Sequence, residues 1–424
     1  MVEPATTESV VSAVESESLD AADFRWVVVL VVLLLLPTEL SLNLGGLRLS
    51  PYRFALLAAF FPMCAFVFGG RAGKLLPSDM LVVVHVVWCS LAYAVRDGMG
   101  AAIESGGIYS AEVLSAYLIG RACVRDGQSF ARMSRVLFAG VVALLAVSLP
   151  ETLTGVRFVH DIAGAIFGGR PPTAVEGRFG LARAYGPFDH PILLGTFCAC
   201  AFSVSWFAST SKGIAHRLKR GAVVGTASFA ALSSSCIMAV FLQATLIAYR
   251  FVTRRLPGRW MILGGALASV YLALSIFSSR SGLKVLLWYL TFDRHTASMR
   301  LAIWDYAGDN VALHPRFGVG MEHWIRPSWM PESVDSFWLV TTLSFGLPAT
   351  ISLALALVFL LARVKRSVSD EGPDVEQRRA WAYTILSLVF VGFTVHYWNN
   401  VFVLFMFLIG SGGWMATSPK RELA

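Results

Sequence analysis

Charge is what this chain has least of. Asp, Glu, Lys and Arg make up 15% of its 424 residues, against 56% hydrophobic residues, and the mean hydropathy is +0.64. So little charge excludes a water-soluble globule of this length and leaves a chain that enters a membrane repeatedly. Cysteine is sparse and unpatterned. The six cysteines (Cys64, Cys89, Cys123, Cys198, Cys200 and Cys236) lie in or beside apolar runs. None has the paired spacing of a metal motif, so they read as small core residues and no metal or other cofactor is expected. The first 24 residues lack the basic start and cleavage site of a signal peptide; acidic and rich in Ser, Glu, Ala and Val, they read as a loose cytoplasmic tail. Repeated halves and charge pairs at mid-span depth are also missing, which counts against a polysaccharide transporter or flippase.

What is present is a series of apolar runs at about 26–44, 52–69, 79–95, 108–124, 136–150, 191–209, 221–235, 237–250, 260–278, 337–361, 381–397 and 401–417. The predicted fold is all-α: a polytopic membrane protein of about 12 transmembrane helices, forming one integral domain over 25–424. The weakest run is 221–250, whose thirty residues contain Ser233-Ser-Ser-Cys236, because two full spans need about 40 apolar residues.

Basic residues decide between one helix and a hairpin there. With a cytoplasmic N-terminus, the clusters Arg71/Lys74, Arg121 to Arg135, Lys212 to Arg220, Arg250 to Arg259, Arg363 to Arg379 and Lys420/Arg421 all fall inside only if 221–250 crosses twice. The hairpin is therefore favoured, with both termini cytoplasmic. The formal charge of +8 is mostly spent on these loops, so nucleic acid is not an expected partner.

That topology leaves two long loops outside, at about 151–190 and 279–336. Both carry arginines on the side the inside rule depletes, which points to an anionic ligand matched by guanidinium forks. The first holds Gly169-Arg-Pro-Pro-Thr and Glu176-Gly-Arg-Phe-Gly-Leu-Ala-Arg183, and ends in Arg183-Ala-Tyr-Gly-Pro-Phe-Asp-His-Pro191. Asp189 is placed to cap the helix that follows Pro191, and an ion pair from Arg183 to Asp189 or Glu176 is an alternative to phosphate contact. In the second loop, apolar spacing from Met299 to Ala312 predicts a short amphipathic helix with Arg300 and Trp304 one turn apart. The turn His314-Pro-Arg-Phe-Gly318-Val-Gly320 would let backbone approach a ligand or a neighbouring helix closely. Glu39, Asn43 and His396 sit near span ends, where an interfacial place is expected.

Taken in order, Arg-Xaa-Xaa-Gly-Pro-Phe-Xaa-His-Pro, then Arg300-Xaa-Xaa-Xaa-Trp304, His-Pro-Xaa-Xaa-Gly-Xaa-Gly, Asp335-Ser-Phe-Trp-Leu and Phe345-Gly-Leu-Pro resemble the O-antigen ligase and O-antigen polymerase superfamily. The motifs cover about 178–350, and Leu49-Ser-Pro-Tyr-Arg53 is similar to the family's second-helix start. The resemblance implies a GT-C-like fold in the bacterial plasma membrane, with an extracytoplasmic active site. It also implies a metal-independent, inverting glycosyltransferase that moves a glycan from undecaprenyl pyrophosphate to a sugar acceptor, among other polysaccharide assembly proteins. Under it, Arg178, Arg183, Arg300 and His190 would bind the pyrophosphate. Asp335 would be the base, with His314 and Glu322 as further candidates. Ligases of the family carry His-Asn where this chain has Asp335-Ser336, which turns the expectation toward polymerisation, with ligation to lipid A core as the alternative. A second departure is Cys236, at a position where the family often has Arg.

Overall fold

The computed structural model describes residues 24–44, 47–168, 172–208, 212–277, 285, 288, 294–367 and 374–417. The acidic tail before Phe24, Gly169-Arg-Pro of the first loop, most of the second loop up to Asp293 and the pair Lys420/Arg421 lie outside these residues.

Among the described residues the regular structure is helical apart from one two-stranded ribbon. Helices α1 (Phe24–Leu34), α2 (Pro51–Phe68), α3 (Pro77–Arg96), α4 (Gly98–Cys123), α5 (Gly127–Thr154), α6 (Phe158–Phe167) and α7 (Pro191–Phe207) precede the hairpin of α8 (Gly213–Phe229) and α9 (Ser234–Val252). Then come α10 (Arg259–Phe277), α11 (Arg294–Leu313), α12 (Phe337–Phe345), α13 (Leu347–Ser367), α14 (Val375–Val391), α15 (Asn399–Gly410) and α16 (Gly413–Thr417). Among the described residues, seven helices are long and apolar enough to cross a membrane: α2, α3, α5, α9, α10, α13 over Leu347–Val364, and Asn399–Thr417. Shorter apolar helices occupy α1, α6 and α7.

Local sequence explains most of the starts. Proline opens α2, α3 and α7, where its missing N–H costs nothing and its fixed φ suits the first turn. Asp126 and Ser129 form a reciprocal cap on α5, with Asp126 Oδ1 accepting from the Ser129 amide at 2.7 Å. Two runs are interrupted. The first apolar run stops being α-helical after Leu34; a 3-10 turn at Thr38–Leu40 follows, and the run's end forms β1 (Leu42–Leu44), which pairs antiparallel with β2 (Leu47–Leu49). The run 337–361 breaks at Gly346, whose φ of 82° is open to glycine, and a Cβ there would collide with the Arg316 carbonyl.

Two helices carry the core. Every residue of α15 from Asn400 to Gly410 is buried, and α7 is buried along almost its whole length. α15 lies against α4, where Gly120 and Gly410 bring the two backbones too close for a Cβ on either. α7 packs on α8, α9 and α14. Five of the cysteines are buried and Cys64 is half-buried; all six are free thiols.

The 221–250 region is two helices. Ala230 to Ser233 turns the chain between α8 and α9, with Leu232 at a φ of 45°. This apex is the floor on which the first long loop rests.

Candidate functional site

Three backbone carbonyls of that apex face the loop. The Ala230 carbonyl accepts from the Ala184 amide at 3.0 Å, the Ala231 carbonyl from Arg183 Nε at 3.0 Å, and the Leu232 carbonyl from Arg178 Nη1 at 2.9 Å. Arg178 is itself fixed by a tight reverse turn, exchanging two backbone hydrogen bonds with Leu181 at 2.9 Å each. Each guanidinium thus has one N–H tied to the floor and the rest available. Among the described residues neither makes an ion pair, so the expected bridge from Arg183 to Asp189 or Glu176 does not form.

Arg300 joins them from α11. It is 7% exposed, and its charge is felt by Arg178, Asp335 and Cys236. Burial lowers its basicity first, and Arg178 adds to the lowering while Asp335 opposes it. Arg183 is brought down to about 10, chiefly by burial and then by the like charge of Arg178. Two guanidiniums that repel each other in a half-buried place are held there by the fold, at a cost that an anion between them would relieve.

The carboxylate of Asp335 completes the group. It precedes α12, is half-buried, and makes no hydrogen bond with another described residue. The cap of α12 falls instead to Ser336, whose Oγ accepts from the Leu339 amide at 3.3 Å. Burial raises the Asp335 carboxyl and Arg300 pulls it partly back, and a raised carboxyl is a stronger base than a solvated one. The first turn of α9 also points here. Ser233 makes no side-chain cap, and Cys236 feels both Arg178 and Arg183, so the positive end of a 19-residue helix adds to the same field.

The Tyr185 to Pro191 stretch is a wall held from four sides. Glu151, near the end of α5, accepts from the amides of Tyr185 at 3.0 Å and Gly186 at 2.9 Å. His160 of α6 links the Phe188 carbonyl (3.0 Å) to Glu39 (2.7 Å). Tyr185 Oη accepts from the Val175 amide and donates to the Thr173 carbonyl, both at 2.8 Å. Asp189 accepts from Asn399 Nδ2 at 2.7 Å. Asp189 is therefore not the cap of α7. That place belongs to His190, whose Nδ1 accepts from the Ile192 amide at 3.1 Å. Charge-assisted bonds of the Glu151 kind contribute about 1.5–3 kcal/mol each, enough to hold a loop of this length in one shape.

Not every predicted residue joins the cluster. His314 follows α11 half-exposed, and Glu322 pairs with Arg96 at 3.3 Å at the end of α3; neither is among the charges felt by Arg183 or Arg300. Gly318 and Gly320 have φ of 65° and 67°, and the close approach they permit is to a helix. The Val319 and Gly320 amides donate to the Leu343 and Ser344 carbonyls at 2.8 and 3.1 Å. The amphipathic helix exists and is longer than expected, starting at Arg294. Trp304 stacks on Phe393 with ring centres 6.2 Å apart. Cys236 is fully buried, its thiol donating to the Ile192 carbonyl at 3.4 Å, so it packs α9 on the start of α7.

Glu151, His160 and Asn399 were not singled out from sequence. Glu39 was, but as an interfacial group; its side chain is instead 3% exposed in the pair with His160. Among the described residues no group of three or more His, Cys, Asp or Glu side chains is placed to hold a metal ion. No protein-family model matches the chain, and no curated protein matches it significantly.

Proposed function

We propose that the arginine cluster binds the pyrophosphate of a polyprenyl-linked glycan on the outer face of the plasma membrane, and that the protein transfers this glycan to a sugar hydroxyl. The observation that carries this reading is the convergence of Arg178, Arg183 and Arg300 on one half-buried place beside Asp335. Asp335 takes the proton of the acceptor hydroxyl as its oxygen attacks the anomeric carbon. The bond from that carbon to the pyrophosphate oxygen breaks, and the undecaprenyl pyrophosphate leaves with the electron pair. The guanidiniums match the charge that develops on it, which is the role of preorganised donors in a water-poor site. One displacement inverts the anomeric configuration. In this reading the bundle is GT-C-like, its termini are cytoplasmic, and the long loops roof the sugar site.

Polymerisation of a lipid-linked polysaccharide is the favoured form of this activity, because an acid, Asp335, stands where ligases of the resembled family carry histidine. A strain lacking the protein should then make single, unpolymerised repeat units. Intact long chains left on the carrier lipid would mean ligation instead. Complementation with Arg300→Ala, expressed at normal level, should not restore chain length; a restored glycan profile would refute the proposal, as would retained anomeric configuration with a synthetic donor.

A further inference from the structure

At the other end of α9 lies a second group of arginines that the transfer reaction does not use. A helix of 19 residues is roughly 28 Å long, so the two groups stand on opposite sides of the bundle. Arg250 and Arg254 at the end of α9, Arg259 at the start of α10 and Arg379 of α14 surround a cavity of about 330 Å³, with Phe251 as its apolar lining. That volume is within the range of small-ligand sites.

The cavity is built by specific contacts. Tyr249 Oη donates to the Arg259 carbonyl at 2.7 Å, and Arg259 Nη1 donates to the Arg254 carbonyl at 3.1 Å, which folds the α9–α10 turn so that both helices aim arginines inward. Trp260 lies between Tyr249 and Tyr383, with ring centres 5.7 and 6.0 Å away. Glu376 supplies a carboxylate at the wall, shared by Arg250 at 3.5 Å and Arg379 at 3.1 Å. Four guanidiniums and one carboxylate leave the cavity strongly positive.

Its surroundings say which anion. Phe251 and Val252 are 68% and 78% exposed, and α10 buries none of its residues against the rest of the chain. The cleft therefore opens onto apolar helix surface, with aromatic rings at its rim as at a membrane interface. A soluble phosphate would gain nothing from that surface, whereas acyl chains would cover it. We infer that this cleft binds the phosphate of an anionic phospholipid headgroup, with the acyl chains lying along Phe251, Val252 and the first turns of α10.

The test is lipid retention by the full chain, purified in mild detergent and equilibrated with mixed micelles containing phosphatidylglycerol or phosphatidylcholine, read by native mass spectrometry. Phosphatidylglycerol should be retained in clear preference. Each arginine near an anionic surface is worth about five-fold, so Arg254→Gln should lower retention about five-fold and Arg254→Gln with Arg259→Gln about 25-fold. The paired Lys substitutions at both positions should keep most of it. If the double variant cannot be purified, Arg254→Gln decides, since Arg254 is exposed and its side chain only rests on Phe251. Equal retention of the two lipids, or unchanged retention in Arg254→Gln, overturns the inference. So does displacement of the lipid by millimolar inorganic phosphate, which would identify a site for free phosphate.

Discussion

Arg121 and Arg183 are both taken out of bulk water, and the fold treats them in opposite ways. Arg121 is 1% exposed on α4; its Nη1 and Nη2 donate to the Ala72 and Lys74 carbonyls at 2.6 and 2.9 Å, and its Nε faces Asp79 at 3.5 Å. Asp79 also accepts from Tyr117 Oη at 2.6 Å and from the Leu76 amide at 2.8 Å. That guanidinium is consumed by the protein, tying the α2–α3 turn to the bundle. Arg183 has one carbonyl partner, no ion-pair carboxylate among the described residues, and the like charge of Arg178 acting on it. A buried charge met by two carbonyls and a carboxylate is architecture; a half-buried charge held against a like charge is a place for something else.

The comparison breaks first at Arg121. Arg121→Met leaves Asp79 buried with its charge partner gone, which typically costs about 3–5 kcal/mol. The expected result is a steep loss of folded protein in the membrane and of monodisperse material in detergent. A normally folded Arg121→Met would mean the two arginines differ less than their contacts suggest.

Arg183→Ala should do the reverse. Removing one of two repelling guanidiniums costs little stability, so the thermal midpoint should stay within a few degrees. Glycan transfer should fall by about 10²–10³, the usual effect of deleting one preorganised donor at a developing anion. Arg183→Lys should recover only part of the rate, because a point charge does not reproduce the fork.

How much of this could be read beforehand follows the range of the interactions. Helix content depends on local hydrophobicity, and most of the apolar runs are helical; the 221–250 region is two helices, of which α9 is long and apolar enough to cross a membrane. The grouping of Arg183 with Arg300 and Asp335 is available only through the motif order, since the first two stand 117 positions apart in the sequence. Asn399 on Asp189, and Glu39 on His160, carry no local signal, because each joins elements that only tertiary packing brings together. The capping error at α7 has a similar cause: Asp189 is a better intrinsic cap than histidine, but its carboxylate is engaged by Asn399. The end of α1 at Leu34 was hidden by a continuous apolar run, part of which forms the ribbon.

Asp335 sharpens the same contrast through pH. Its carboxyl is raised from its ordinary value by burial, so the folded state holds its proton to higher pH than the unfolded chain does. Stability from this group is thus present at low pH and lost as pH rises through the folded value. Asp335→Asn should therefore raise the thermal midpoint at neutral pH and leave it unchanged in acid. It should also lower transfer by about 10²-fold, within the usual range for a general base. In the native protein the rate should fall as pH drops through that raised value; a pH-independent rate would remove Asp335 from the base role.

The smallest effect belongs to His190, and it tests whether the cluster's field reaches the wall that supports it. Its basicity is lowered to about 4, first by burial and then by Arg183 and Arg178, with Asp189 opposing. An imidazole without a proton on Nδ1 is what the Ile192 amide requires as its acceptor. Because the folded value lies below the unfolded one, near 6.5, the stability from this cap is complete above pH 6.5 and drains away as pH falls toward 4. His190→Ala should cost about 1 kcal/mol at neutral pH, the usual worth of a helix cap. His190→Asn should keep the cap and flatten the loss between those pH values. Combining His190 with Arg183→Ala then isolates the field: with that guanidinium gone, the imidazole should titrate closer to its ordinary value, visible as an upfield-to-downfield proton shift at higher pH. An unchanged titration would mean burial alone sets the histidine and the arginines act only on what they bind.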